Sequence, residues 1–257
     1  MCCVLEAVGD GLRWRTIGIL GGMGPAASAD FLTMLVGAVG AAHDEAHPRV
    51  LLDSNPHVPD RNAAALGRGE PPGPVLAAMA ARLVESGAQV LAMPCNAAHG
   101  WADAIRAVLP ADRQFVDLIE AGVAATLACA PKRVGLMAVG ATHRLRLYHA
   151  PLAAAGVEVL SPPADAVAAL VARVKGGDTG PAARAAAARL AVRLAEDGAD
   201  VVLAACTEVP LVLDGDNCPV PLVDATAALV AATLRAADLR PEVRMAGLIN
   251  RRNGMAG

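Results

Sequence analysis

Short apolar runs alternate along this chain with stretches whose apolar residues recur every three or four positions, the pattern of buried strands between amphipathic helices. Thr16–Leu20 reads as a strand, Gly21–Pro25 as a tight turn, and Ala26–Val39 as a helix with Pro25 near its first turn. Arg49–Leu52 is a second strand. Asn55–Pro74 is polar and rich in Pro and Gly, so it reads as a long loop, and loops of that length often carry function. A helix (Val75–Glu85), a strand (Gln89–Met93), a helix (Ala98–Val108), a strand (Gln114–Val116) and a helix (Leu118–Ala128) follow.

The pattern then restarts. Arg133–Ala138 is a strand, Gly140–Thr142 a turn, and His143–Ala155 a helix; Val157–Leu160 is a strand and Ala164–Lys175 a helix. Pro181–Glu196 is a helix, Asp200–Ala204 a strand, Val220–Val223 a strand and Ala225–Ala236 a helix. Direct comparison supports a duplication. Glu85–Cys95 (ESGAQVLAMPC) aligns without a gap on Glu196–Cys206 (EDGADVVLAAC). Val116-Asp117 matches Val223-Asp224, Ala124–Leu127 (AATL) matches Ala231–Leu234, and Ile17–Leu20 (IGIL) matches Val134–Met137 (VGLM). These matches fall in one order, so the two halves are copies with altered loops.

The expected fold class is therefore α/β, as two pseudo-symmetric Rossmann-like domains, each a parallel sheet with flanking helices. The first unit spans 14–128, with a C-terminal helix over 224–238 packing back on it; the second spans 129–223. The segments 1–13 and 248–257 read as disordered tails. In open α/β sheets ligands bind beyond the C-terminal ends of strands. Cys95 and Cys206 both lie just past such ends, so an active site is expected in the cleft between the domains, with a thiol on each wall.

Composition narrows the function. Apolar residues make up 55% of the 257 positions and aromatics only 2%, which suits small aliphatic layers. The net charge of −3 is scattered, so nothing points to nucleic acid or a membrane surface as partner. No apolar run is long enough to span a bilayer, and Met1–Arg15 does not look like a secretory signal, so a cytoplasmic location is expected. There thiols stay reduced. The six cysteines form no CxxC pair and there is no HExxH, so no metal site is expected.

Two opposed thiols suit one chemistry well. A carbanion at an α-carbon is planar and can be reprotonated from either face, so racemisation needs a base on one side and an acid on the other. Thiols titrate close enough to cellular pH for one thiolate and one thiol to coexist, and the helix N-terminus after each cysteine could stabilise the anion. A lone cysteine after a strand is more often a core residue. Retention of both while their neighbours diverge favours function. His99 and Glu208 could tune Cys95 and Cys206 respectively; His99 could equally be a hydrogen-bonded helix residue. Arg61 and Lys175 by themselves read as solvated loop charges.

The motifs Ile19–Pro25 (ILGGMGP), Asp53–Arg61 (DSNPHVPDR), Met93–His99 (MPCNAAH) and Cys206–Glu208 (CTE) resemble the aspartate/glutamate racemase superfamily, nearest its aspartate racemase branch, over about Thr16–Leu234. The resemblance implies interconversion of L- and D-aspartate or glutamate, or a related amino acid, without pyridoxal phosphate or any other cofactor. It implies Cys95 and Cys206 as the catalytic pair, Arg61 and Lys175 as readers of the side-chain carboxylate, and Asn96, Thr142 and Thr207 as holders of the α-carboxylate and amine. Met23 and Asn55 would border the cleft, and a homodimer is expected. Relatives that keep the fold and change the reaction include hydantoin racemases, maleate isomerases and single-cysteine arylmalonate decarboxylases, which the paired thiols argue against. A catalytically silent carboxylate-binding protein is the third reading. It is motivated by departures from the family pattern at Ala97, Asn62, Ala141, Leu145 and Ala205, of which Ala97 and Leu145 remove hydroxyls that could contact substrate.

Overall fold

A computed structural model describes residues 14–239; the predicted tails, Cys2 and Cys3 lie outside the described residues. The first half runs β1 (Ile17–Gly21), α1 (Pro25–Val39), β2 (Val50–Ser54), α2 (Arg61–Ala65), α3 (Gly73–Glu85), β3 (Val90–Ala92), a 3₁₀ turn at Ala97–Trp101, α4 (Ala102–Arg106), β4 (Gln114–Val116) and α5 (Leu118–Leu127). The second runs β5 (Arg133–Met137), α6 (Gly140–Arg144), α7 (His149–Ala154), β6 (Glu158–Leu160), α8 (Ala164–Lys175), α9 (Pro181–Glu196), β7 (Val201–Ala204), β8 (Leu222–Asp224) and α10 (Ala225–Ala237). The strands form two four-stranded sheets of order β2-β1-β3-β4 and β6-β5-β7-β8, and every pairing is parallel. The two orders are the same under the repeat.

Strand alternation assigns each residue to a layer. Ile17, Ile19, Val90 and Ala92 of the first sheet, and Val134, Leu136, Val201 and Leu203 of the second, share one central core with Leu118, Leu229 and Leu234. The alternate residues Leu20, Leu91 and Met93 face an outer core with α3. Their counterparts Met137, Val202 and Ala204 face another with α8 and α9. Helix α10 packs against α1, α5, β3 and β4.

The repeat extends to close packing. A Cβ on Gly135 would lie 2.9 Å from the Leu194 side chain, and one on Gly18 would lie 2.8 Å from Ala88 Cβ and 3.4 Å from Leu83 Cβ. Glycine on β1 and on β5 lets the helix that leads into the neighbouring strand, α3 or α9, settle onto it in both halves.

Four expected elements differ, the first being the turn expected at Gly140–Thr142, which opens helix α6. The long loop after β2 contains α2, whose N-terminus is capped by Asp60: its carboxylate accepts from the amides of Asn62 and Ala63. The expected helix over Ala98–Val108 begins as a 3₁₀ turn, where Gly100 sits hard against Leu145. The expected helix over His143–Ala155 is split, because Arg146 takes a left-handed conformation (φ 53°). After that break a new helix starts at His149 with Tyr148 at its N-cap, and the Tyr148 hydroxyl reaches the first half. No helix among the described residues is long and apolar enough to cross a membrane.

Candidate active site

Each cysteine is the first reactive group past the C-terminal end of a central strand, Cys95 after β3 and Cys206 after β7. Both line one cavity of about 550 Å³ between the halves. Both are buried free thiols, at 5% and 6% exposure. The other wall residues include Met23, Asp60, Arg61, Asn62, Asn96, Ala97, Gly140, Asp165, Lys175, Thr207 and Glu208.

The two thiols have unequal surroundings. Burial pushes both above the ordinary cysteine range, since desolvation disfavours a thiolate. At Cys95 the positive charge of Arg61 opposes burial most strongly, helped by the Ala98 backbone amide and by Lys175. At Cys206 the Glu208 carboxylate adds to burial. The Cys206 thiol donates to Glu208 Oε2 at 3.1 Å, and its pKa is raised well above the usual value. Cys95 is thus the easier thiol to ionise, and Cys206 the one held protonated.

Glu208 is itself buried. Its Oε2 also accepts from the Thr207 hydroxyl at 3.3 Å, while Lys175 Nζ lies 3.8 Å from Oε1. Oε1 has no hydrogen-bond partner among the described residues. Arg61 is the first residue of α2. Its Nη1 donates to the carbonyls of Val58 (2.9 Å) and Pro59 (3.0 Å), which aims the guanidinium. Among the described residues it forms no carboxylate ion pair. The cavity thus offers one positive fork, one ammonium shared with a buried carboxylate, and polar donors beside the thiols.

Not every expected site residue reaches the cavity wall. Asn55 turns its amide toward Met79 Sδ (3.7 Å), and its Oδ1 accepts from the His57 amide. Thr142 is buried, lies outside the lining, and its hydroxyl has no partner among the described residues. His99 also lies outside the lining. The Leu118 amide donates to its Nε2 (3.1 Å), so Nε2 carries no proton and Nδ1–H donates to the Cys95 carbonyl at 2.9 Å. Burial lowers its pKa, in keeping with that neutral form. Its link to Cys95 runs through the main chain.

The departures from the family pattern also acquire partners. Asn62 Oδ1 accepts from the Ala141 amide at 2.8 Å, and Arg144 Nε donates to the Ala65 carbonyl at 2.7 Å, so α2 is clasped to α6 across the two halves. Leu145 packs on Gly100 and is not part of the wall. Sequence reasoning missed Asp60, Asp165 and Tyr148. Asp60 carries an N-cap signature ahead of Arg61. Tyr148 is the only tyrosine in the chain.

A family model described as Asp/Glu/hydantoin racemase matches residues 20–233. The broad specificity amino-acid racemase RacX of Bacillus subtilis (strain 168) is 26% identical over 224 residues, spanning 85% of this chain and 96% of the relative. Among solved structures, Picrophilus torridus aspartate racemase is 27% identical, with a TM-score of 0.79 over 89% of this chain and 97% of its own. A putative Asp/Glu racemase from Yersinia pestis, 22% identical with a TM-score of 0.71 over 86% of this chain and 98% of its own, shares the fold. The chain belongs to the Asp/Glu/hydantoin racemase family and is an enzyme of the racemase class.

Proposed function

We propose that this racemase acts on aspartate, glutamate or a close acidic relative by moving the Cα proton between Cys95 and Cys206, with no cofactor taking part. The observation that carries this reading is the pair of buried thiols on one cavity with opposite surroundings: Cys95 near Arg61 and Lys175, Cys206 hydrogen-bonded to Glu208. Of the two, Cys95 is the more readily ionised and supplies the thiolate, and Cys206 supplies the thiol. The thiolate takes the Cα proton of one enantiomer, and the electron pair of that C–H bond passes into the α-carboxylate as an enediolate. The Cys206 S–H then protonates the opposite face and leaves a thiolate. The opposite enantiomer uses the reverse roles.

Arg61 offers its remaining N–H groups to a side-chain carboxylate, and Lys175 supplies a second positive charge. Asn96 and Thr207 flank the thiols, where an α-carboxylate would sit. Two carboxylates and one ammonium on the substrate complement two cations and the buried Glu208 carboxylate. That the Picrophilus relative is an aspartate racemase supports aspartate; that the Bacillus relative is a broad specificity amino-acid racemase makes a panel of amino acids the right assay. The same reading has the enzyme in a reducing cytoplasm and assembled as a homodimer, which sedimentation would test.

Solvent deuterium incorporation at Cα, measured for each amino acid in turn, is the test. Exchange of an acidic amino acid with racemisation, lost in both Cys95→Ala and Cys206→Ala, is expected. No exchange with any amino acid, or normal racemisation in either variant, rejects the mechanism.

A further inference from the structure

We infer that Tyr148 is a positioning residue that sets which end of the Asn96 amide faces the cavity, and so makes this wall a reader of a carboxylate oxygen. The inference rests on the reading of the cavity as a carboxylate site. Tyr148 comes from the second half, at the residue preceding α7, and is fully buried. Its hydroxyl donates to Asn96 Oδ1 at 2.6 Å, across the boundary between the halves. Asn96 is 2% exposed, lines the cavity and directly follows Cys95. Its Nδ2 is buried and has no hydrogen-bond partner among the described residues.

A carboxamide has two ends of similar size and opposite polarity. Left alone beside a ligand it could present either. A phenol hydroxyl has a single hydrogen, which here goes to Oδ1, so the NH₂ end is left for the ligand. The ionised form of the phenol is disfavoured by burial and by the nearby Asp117 and Asp224 carboxylates, which keeps the hydrogen in place. The matching ligand group is an acceptor. In the proposed reaction that acceptor is the α-carboxylate, whose oxygens gain charge as the proton leaves Cα, so a donor fixed in advance stabilises the transition state most.

A second feature points the same way. Gly122 lies inside α5, where glycine is less favourable than alanine. A Cβ there would lie 3.0 Å from the Tyr148 hydroxyl oxygen and 3.2 Å from its ring. The helix has no side chain where the hydroxyl must reach.

A double-mutant cycle tests the inference, because a residue that acts only through Asn96 loses its effect once Asn96 is gone. Tyr148→Phe and Asn96→Ala are each expected to lower kcat/KM for the best amino acid about tenfold or more. The double variant is expected to be no worse than Asn96→Ala. Losses that multiply would overturn the inference. Asn96→Asp, which keeps Tyr148, supplies a check if Tyr148→Phe folds poorly: one oxygen accepts from Tyr148 and the other presents negative charge to the cavity. It should lose more than Asn96→Ala, and an equal or smaller loss rejects the assigned polarity. The same cycle run on the dissociation constant of succinate, by calorimetry, separates the two ideas. If the wild type turns over no amino acid, the racemase mechanism fails, while the succinate cycle still decides the role of Tyr148.

Discussion

Replacing Arg61 probes charge recognition and thiol ionisation at once. A guanidinium carries five N–H donors. Here Nη1 is spent on the Val58 and Pro59 carbonyls, and Nη2 and Nε remain for a ligand. Two charge-assisted bonds to a side-chain carboxylate, each contributing about 1.5–3 kcal/mol, amount to roughly 3–6 kcal/mol. Arg61→Ala should therefore lower kcat/KM for aspartate by about 10²- to 10⁴-fold. Arg61→Lys should fall between, since it keeps the charge and loses the fork. Alanine, with no distal carboxylate, should lose little when rates are compared on each variant's own pH plateau. The second consequence is a shift of that plateau. The Arg61 charge opposes the burial that raises the Cys95 pKa, so removing it raises that pKa further. The acidic limb of the pH profile, where Cys95 must lose its proton, then moves to higher pH. Polarimetric racemisation of both amino acids across a pH series reads both effects. Equal losses for aspartate and alanine, with an unmoved acidic limb, would refute the assignment.

In Glu208→Gln the carboxylate that raises the Cys206 pKa is gone, so that pKa falls and the alkaline limb of kcat/KM should move to lower pH; a stationary limb would detach Glu208 from the thiol. Gly135→Ala forces a Cβ to within 3.0 Å of Leu194 Cβ, and overpacking of this kind costs about 1–3 kcal/mol, so a lower denaturation midpoint is expected with little change in KM. His99 has its pKa lowered by burial, so the unfolded chain binds the proton more readily than the folded one. Stability should therefore decline as pH falls below about 6.5, more steeply than in His99→Gln, and parallel melting curves for the two would refute that account. His143 and His149, also lowered, contribute with the same sign in both proteins.

The layered fold was legible because it is written in local periodicity. Strand alternation put Ile17 and Ile19 on one face and Leu20 on the other, and the same rhythm returned at Val134, Leu136 and Met137. The matched segments ending at Cys95 and Cys206 made the thiols equivalent, and the strand-end rule sent them to a common site. Asn55 and Thr142 were placed by motif alone. A motif marks a neighbourhood, while the turn after β2 and the packing of α6 decide where those side chains point.

By itself, then, the sequence determined two repeated units with parallel sheets, the two cysteines past their strand ends, and the racemase family. The tertiary structure decided what surrounds each thiol. Tyr148 meets Asn96, Asn62 meets Ala141, and Leu145 meets Gly100 across distances in sequence that no periodicity records. The repeat makes the halves alike, but their contacts are made by residues that differ between the copies. Equivalent cysteines therefore receive inequivalent charges, Arg61 opposing burial at one and Glu208 adding to it at the other, and the docking of one half on the other adds Lys175 to the surroundings of Cys95.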